Sequence, residues 1–265
     1  MKITIESLAL QAASANKLRL FLDYDGTLAD FAPSPDDVLP DKELIGLFDD
    51  LVSMQNLLPA IISGRRLSHI QKLLPVKGLL LGGTYGIELL LPDGKQMNAF
   101  PYEKLRPTVE RLEPRWRSLI SGKAGFYLED KGWSLALHGL RAAKAEADIA
   151  FLSALTIVME EIADPHFRVI QGYRFLEYAP VVANKSKAVR KVLDEFTPGD
   201  AMIIYIGDDD KDEEAMEVVI DSGGYGIKVS SKPEKSRAQF TIHDPSGVRF
   251  WLRRLYSASR SGADN

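Results

Sequence analysis

Apolar residues fall in short runs separated by stretches of helical period. Leu18–Leu22 is apolar except for Arg19, ends at Asp23, and predicts a buried strand. Asp41–Met54 sets Leu44, Leu47, Phe48, Leu51 and Val52 on one stripe, with Asp41 after Pro40 as an N-cap. Leu57–Ile62 predicts a second strand, running into Ser63-Gly64. Leu67, Ile70, Leu73 and Leu74 mark a helix, and Leu79–Leu81 predicts a third strand ending in Gly82-Gly83. Nearly all-apolar strands alternating with helices predict a parallel sheet covered on both faces.

The pattern then changes. Glu88–Leu91 and Lys95–Ala99 flank Pro92-Asp93-Gly94, which predicts a hairpin. Leu105–Ile120 has helical period, with Pro107 and Pro114 expected to confine or bend it. Gly125–Glu129 and Trp133–His138 predict paired strands. Ala142–Glu161 predicts a helix, and Arg168–Gln171 with Arg174–Tyr178 a second hairpin. Afterwards the alternation returns. Ala188, Val189, Val192, Leu193 and Phe196 form a helical stripe, and Ala201–Ile206 is a buried strand running into Gly207-Asp208. A helix over Asp212–Asp221, short strands at Gly226–Val229 and Gln239–Ile242, and a last helix from Pro245 capped by Asp244 complete the chain. The expected architecture is α/β: a doubly wound parallel-sheet core of residues 1–101 and 182–265, interrupted by a smaller α+β domain at 102–181.

Composition narrows the function. A chain of 265 residues, 45% hydrophobic and 26% charged, can bury a sizeable core unaided. It has no cysteine, which excludes disulfides, thiolate zinc sites and cysteine nucleophiles. A net charge of -4 gives no sign of a nucleic-acid-binding face. Apolar runs of strand length predict no membrane span. The apolar patch Leu8–Ala15 is broken by Gln11 and Ser14 and preceded by Glu6, unlike a secretory leader, so a cytoplasmic protein is expected, plausibly a monomer. No G-x-x-x-x-G-K-[ST] string occurs, and Asp23–Thr27 stands where a dinucleotide fold would carry G-x-G-x-x-G.

In open parallel sheets, ligands bind beyond the carboxyl ends of the strands. The first strand runs into Asp23-Tyr24-Asp25-Gly26-Thr27, the second into Ser63-Gly64-Arg65, and the late one into Gly207-Asp208-Asp209-Asp210-Lys211-Asp212, while Lys185 opens the preceding helix. If these strands are neighbours, Asp23, Asp25, Asp208 and Asp212 crowd together and need a cation. Hard oxygen ligands without His or Cys suit Mg²⁺, which typically bridges to a substrate phosphate. Thr27, Ser63 and Lys185 are donors that a phosphate wants. A carboxylate such as Asp23 can accept a phosphoryl group covalently, and Asp25 can serve as acid and then base.

This set resembles the haloacid-dehalogenase-type phosphohydrolases, which share a Rossmann-like core. The resemblance implies Asp23 as nucleophile and metal ligand, Asp25 as acid/base giving the metal its backbone carbonyl, and Asp208 as metal ligand. It also implies Ser63 and Lys185 holding the phosphoryl group, and Asp212 as outer-sphere support. Thr27, Gly64, Arg65 and Asp209 accompany them as supporting residues.

A closer resemblance is to the trehalose-6-phosphate phosphatases. It rests on LFLDYDGTLADFAPSPDDV (Leu20–Val38), AIISGR (Ala60–Arg65), GTYGIE (Gly83–Glu88), LEDKGWSLALHGLR (Leu128–Arg141), FLEYAP (Phe175–Pro180) and IGDDDKDEEAM (Ile206–Met216). It implies a sugar-phosphate substrate, Mg²⁺, and an inserted cap with Glu129, Lys131, His138, Arg141 and Glu177 at the sugar-contact positions. From the pattern alone, Lys131 and Arg141 also fit solvated charges, and His138 a structural histidine. The chain departs from the family at Tyr85, where His is usual, at Lys185-Ser186 for Lys-Gly, and at Tyr178-Ala179-Pro180, where Arg-Pro follows the late Glu. Glucosyl- or mannosyl-3-phosphoglycerate phosphatases, a phosphomutase and a catalytically silent binder remain alternatives on the same scaffold. Hinges are expected near Ala99–Tyr102 and Val181–Ala183.

Overall fold

The computed structural model describes residues 3–32, 37–160 and 162–263. Residues 33–36 of the first quoted motif, and Glu161 at the end of a predicted helix, lie outside the described residues. The chain divides into two compact units, one running to Met97 and resuming at Asn184, the other spanning Asn98–Ala183.

The first unit is built on an eight-stranded sheet in the order β12-β11-β10-β1-β2-β3-β4-β5. Its strands are β1 (Leu18–Leu22), β2 (Leu57–Ile62), β3 (Leu80–Gly83), β4 (Glu88–Leu90), β5 (Gln96–Asn98), β10 (Met202–Gly207), β11 (Tyr225–Val229) and β12 (Phe240–Ile242). The six strands from β12 to β3 are parallel, and β4 returns antiparallel to β3. Alternation along the strands divides the core. Leu20, Leu22, Ile61, Leu81, Ile204 and Ile206 pack with apolar residues of α1 (Ile5–Ala13), α2 (Lys42–Ser53), α3 (Leu67–Leu73) and α8 (Pro245–Ala263). Phe21, Ala60, Ile62, Leu80 and Tyr205 point the other way, toward α6 (Lys185–Phe196) and α7 (Asp210–Asp221). The charged exception in β1, Arg19, is buried but donates to the Leu58 and Phe196 carbonyls and the Thr197 hydroxyl. Burial pushes its guanidinium down to about 10.

The helix α1 was not expected. Thr4 and Ser7 close a capping box, and Leu8, Ala9 and Ala12 are buried in the core, with α1 packed against α8. Gln11 and Ser14, which interrupt the apolar run in sequence, are spaced to leave that buried face intact.

The second unit holds an antiparallel sheet in the order β6-β7-β9-β8: β6 (Tyr127–Asp130), β7 (Leu135–His138), β9 (Phe175–Pro180) and β8 (Phe167–Gly172). Two helices, α4 (Tyr102–Ile120) and α5 (Lys144–Glu160), pack together. Pro107 and Pro114 do not end α4, which runs as one helix through both. Burial of Leu105, Val109, Leu112 and Trp116 at helical spacing outweighs the hydrogen bonds the prolines remove. The Trp116 indole also donates to the Ala154 carbonyl of α5 at 3.1 Å.

Candidate active site

Parallel register brings three strand ends together. Leu22 of β1 is level with Ile206 of β10 and Ile61 of β2, and the Asp23 N–H donates to the Ile206 carbonyl at 3.0 Å. The residues just beyond, Asp23, Ser63 and Asp208, therefore emerge at one edge of the sheet. After Asp23 the chain makes a tight turn, with Leu28 and Ala29 N–H groups donating to the Tyr24 carbonyl. Gly26 sits in this turn at φ +77°, where a Cβ would lie 2.3 Å from Asp208 Oδ2. Glycine here serves both the left-handed backbone and the close approach of the two acidic loops.

Lys185 opens α6 and is buried. Its ammonium contacts Asp23 Oδ1 at 2.9 Å and Asp212 Oδ1 at 2.7 Å. Asp212 is a hub: Oδ1 also accepts from the Tyr205 hydroxyl at 2.7 Å, and Oδ2 accepts the N–H groups of Asp208 and Asp209 at 3.0 and 3.1 Å. Gly207 lets α7 approach this closely, since a Cβ there would lie 2.4 Å from Asp212 Cγ. Asp209 is the N-cap of α7, accepting from Lys211 and Asp212 N–H and from the Lys211 ammonium.

Electrostatics follow from this crowding. Burial, with Asp212 and Asp208 nearby, pushes Asp23 well above the usual carboxylate range despite Lys185. Burial, joined by Asp212, pushes Asp208 up to about 7. Burial alone would raise Asp209, but Lys185 and Lys211 hold it below its ordinary value. Burial would lower Lys185, yet Asp212 and Asp23 keep its ammonium well above the usual lysine range.

One carboxylate oxygen each of Asp23, Asp208 and Asp212 lie within 4.8 Å of one another. The donor set fits a hard divalent cation. The carboxyl groups of Asp23, Asp208, Asp209 and Asp212 crowd around the ammonium groups of Lys185 and Lys211, and a divalent cation would relieve the repulsion that raises Asp23 and Asp208. Asp212 has both oxygens taken by donors, which suits outer-sphere support, whereas Asp208 accepts the Thr27 hydroxyl at 3.2 Å. Thr27, expected as a phosphate donor, thus spends its hydroxyl on Asp208.

Asp25 lies apart from this cluster, with its carboxylate held by Arg65. Ser63 is fully buried, and its Oγ accepts the Arg65 N–H at 3.1 Å, leaving the hydroxyl proton able to donate. Gly64 packs under the Tyr85 ring, where a Cβ would sit 2.9 Å from a ring carbon. Thr84 and Tyr85, both at positive φ, give their N–H groups to the Arg65 and Ser63 carbonyls, tying this loop to the end of β3.

In the second unit four of the expected sugar-contact residues form two polar pairs, Lys131 with Glu177 and His138 with Glu129. Register sets Glu129 and Glu177 on either side of Ala136, on the sheet face that carries His138 and Phe175. Glu177 is fully buried, taking Lys131 Nζ at 3.1 Å and Ser134 Oγ at 2.5 Å. Glu129 pairs with His138 Nε2 at 3.1 Å. The solvated reading of Lys131 is corrected: it is only 7% exposed and bound to Glu177, because β9 brings a carboxylate beside it. Arg141 is exposed in the turn after β7. The sequence reading missed Tyr205 and Ser134. The one available signal for Tyr205 is a hydroxyl inside an otherwise apolar strand; for Ser134 there was none.

Residues 21–246 match the sequence profile of the trehalose-phosphatase family. The chain is 29% identical over 271 residues to the probable trehalose-phosphate phosphatase 2 of Oryza sativa, covering 92% of this chain and 69% of that protein. It is 26% identical over 265 residues to trehalose-phosphate phosphatase B of Arabidopsis thaliana, covering 95% and 69%. Its fold is similar to that of the C-terminal domain of C. albicans trehalose-6-phosphate phosphatase, with a TM-score of 0.81, 20% identity and coverage of 95% and 96%. A haloacid dehalogenase-like hydrolase from Bacteroides thetaiotaomicron shares the fold at a TM-score of 0.61, 15% identity and coverage of 90% and 99%. With its motif loops gathered at one sheet edge and its profile match running from β1 into α8, the chain belongs to the trehalose-phosphatase family.

Proposed function

We propose that this protein is a magnesium-dependent phosphatase that hydrolyses trehalose 6-phosphate through an aspartyl-phosphate intermediate. The observation that carries this reading is the Asp23–Lys185–Asp212 chain with Asp208 beside it, on a chain whose family is named for that activity. Asp23 and Asp208 would hold Mg²⁺ with the Asp25 backbone carbonyl, supplying positive charge for the transferring phosphoryl group.

Asp23 attacks phosphorus through a carboxylate oxygen, and the phosphorus–sugar oxygen bond breaks as Asp25 gives that oxygen a proton. Asp25, now a carboxylate, takes a proton from water, which attacks the acyl phosphate and returns Asp23 free. Lys185 and Ser63 bind phosphoryl oxygens, an electrostatic role concentrated on the transition state. Arg65 holds both oxygens of Asp25, so proton delivery requires that pair to open. The second unit acts as the cap, with Glu129, Lys131, His138, Arg141 and Glu177 recognising the sugar.

The test is Asp23→Asn. The variant is expected to fold and bind Mg²⁺ but to lose turnover and the acid-labile phospho-enzyme; retained turnover rejects the nucleophile. Phosphate release from trehalose 6-phosphate, glucosyl- and mannosyl-3-phosphoglycerate and hexose phosphates, with Mg²⁺ or EDTA, tests the substrate.

A further inference from the structure

We infer that Tyr205 is a positioning residue for the metal site, acting through Asp212; the inference rests on the metal reading of Asp23 and Asp208 given above. Tyr205 is the polar residue in the buried stretch of β10, fully enclosed, with its ring stacked on Phe21 at 6.2 Å between centroids. From that side of the sheet its hydroxyl reaches Asp212 Oδ1 at 2.7 Å, the oxygen that also takes the Lys185 ammonium. The phenol is a fixed donor in this setting.

Asp212 then has two jobs. Oδ1, saturated by Tyr205 and Lys185, orients the ammonium that also touches Asp23. Oδ2 pins the N–H groups of Asp208 and Asp209, which sets the loop presenting Asp208. With both oxygens occupied, Asp212 stays outside the cation's inner ligands, and the loop geometry rests on its rotamer. Removing the Tyr205 hydroxyl takes one of two donors from Oδ1 and loosens that rotamer without touching a ligand. Outer-shell hydrogen bonds of this kind typically govern tenfold to hundredfold in metal affinity. Tyr205 stands one bond further out, so the effect belongs at the lower end.

The test is calorimetric titration of Mg²⁺ into metal-free wild type, Y205F, D212N and the double variant, with melting in EDTA alongside. Y205F is expected to bind Mg²⁺ about tenfold more weakly. D212N is expected to lose at least as much, and adding Y205F to D212N to lose nothing further. A purely packing role for Tyr205 would lower the melting temperature in EDTA and leave the affinity alone. Y205F binding within about twofold of wild type overturns the inference, as does D212N at wild-type affinity or a further tenfold loss in the double variant. Wild type that binds no Mg²⁺ overturns the metal reading itself, and the inference with it.

Discussion

Arg65 grips both carboxylate oxygens of Asp25, Nε on Oδ2 and Nη2 on Oδ1, each at 2.7 Å. The guanidinium is itself buried against the Tyr24 ring and the His69 imidazole, so it has little freedom. A fork this well seated fixes the Asp25 side chain, the proposed acid/base, in one place until the pair opens. Lysine cannot reproduce two parallel bonds. Arg65→Lys is therefore expected to lower kcat/KM for trehalose 6-phosphate by about a hundredfold. The loss on p-nitrophenyl phosphate should be much smaller, because its leaving group departs without a proton. Equal losses on the two substrates would remove Arg65 from the positioning of Asp25.

Asp208 gives a pH dependence. Burial and Asp212 lift its carboxyl to about 7, against an ordinary value of 3.8. A cation must displace that proton, so calorimetry should find Mg²⁺ affinity rising as pH climbs through about 7. The folded metal-free protein holds this proton more tightly than the unfolded chain does. Its stability is therefore expected to fall as pH climbs from about 4 to about 7, while Mg²⁺ opposes that fall. A pH-independent affinity between about 5.5 and 7.5 would contradict the crowding of Asp208.

The sheet and the carboxylate cluster were legible in the sequence because both depend on local signals. Runs such as Leu57–Ile62 are apolar on both faces, and each breaks off at a polar residue that register carries to the same edge. Long-range pairing was less legible. Nothing near Lys131 in sequence announces that Glu177, on a strand 46 residues later, will bury it. Likewise, Asp25 reads as an acid beside a nucleophile, and its capture by Arg65 depends on how two loops meet. The helix α4 was legible from its period despite two prolines, and it begins three residues earlier than the apolar stripe, at Tyr102, with Leu105, Val109, Leu112 and Trp116 buried.

Glu177 is tested on both stability and specificity. It is fully buried, and Lys131 and Ser134 both donate to it. Glu177→Ala removes the carboxylate from a buried ion pair, which costs about 3 kcal/mol or more in comparable sites. Glu177→Gln keeps an acceptor for Ser134 and is expected to cost less. Both variants should lose more kcat/KM on trehalose 6-phosphate than on p-nitrophenyl phosphate. If Glu177→Gln treats the two substrates alike, Glu177 supports the sheet and does not read the sugar.

Asp41 ties sequence-distant elements together at the far end of α2. It caps that helix by accepting the Glu43 and Leu44 N–H groups at 2.9 and 3.3 Å. It also pairs with Arg249 of α8, whose Nε donates to the Leu28 carbonyl at 2.8 Å. Burial alone would raise its carboxyl, but the Arg249 and Leu44 hydrogen bonds hold it below 3.8. A depressed folded value means that the stabilisation is fully present above 3.8 and is lost as pH falls through the lower folded value. Asp41→Ala is expected to cost about 1 kcal/mol in urea unfolding at neutral pH. The gap between variant and wild type should hold from about pH 5 to 8 and narrow below about pH 4, as the native carboxylate protonates. Asp41→Asn keeps the capping oxygen and gives up the charge, so it should lose less and show a flatter acid limb. A gap that persists undiminished near pH 2 would mean that Asp41 acts through packing rather than through its charge.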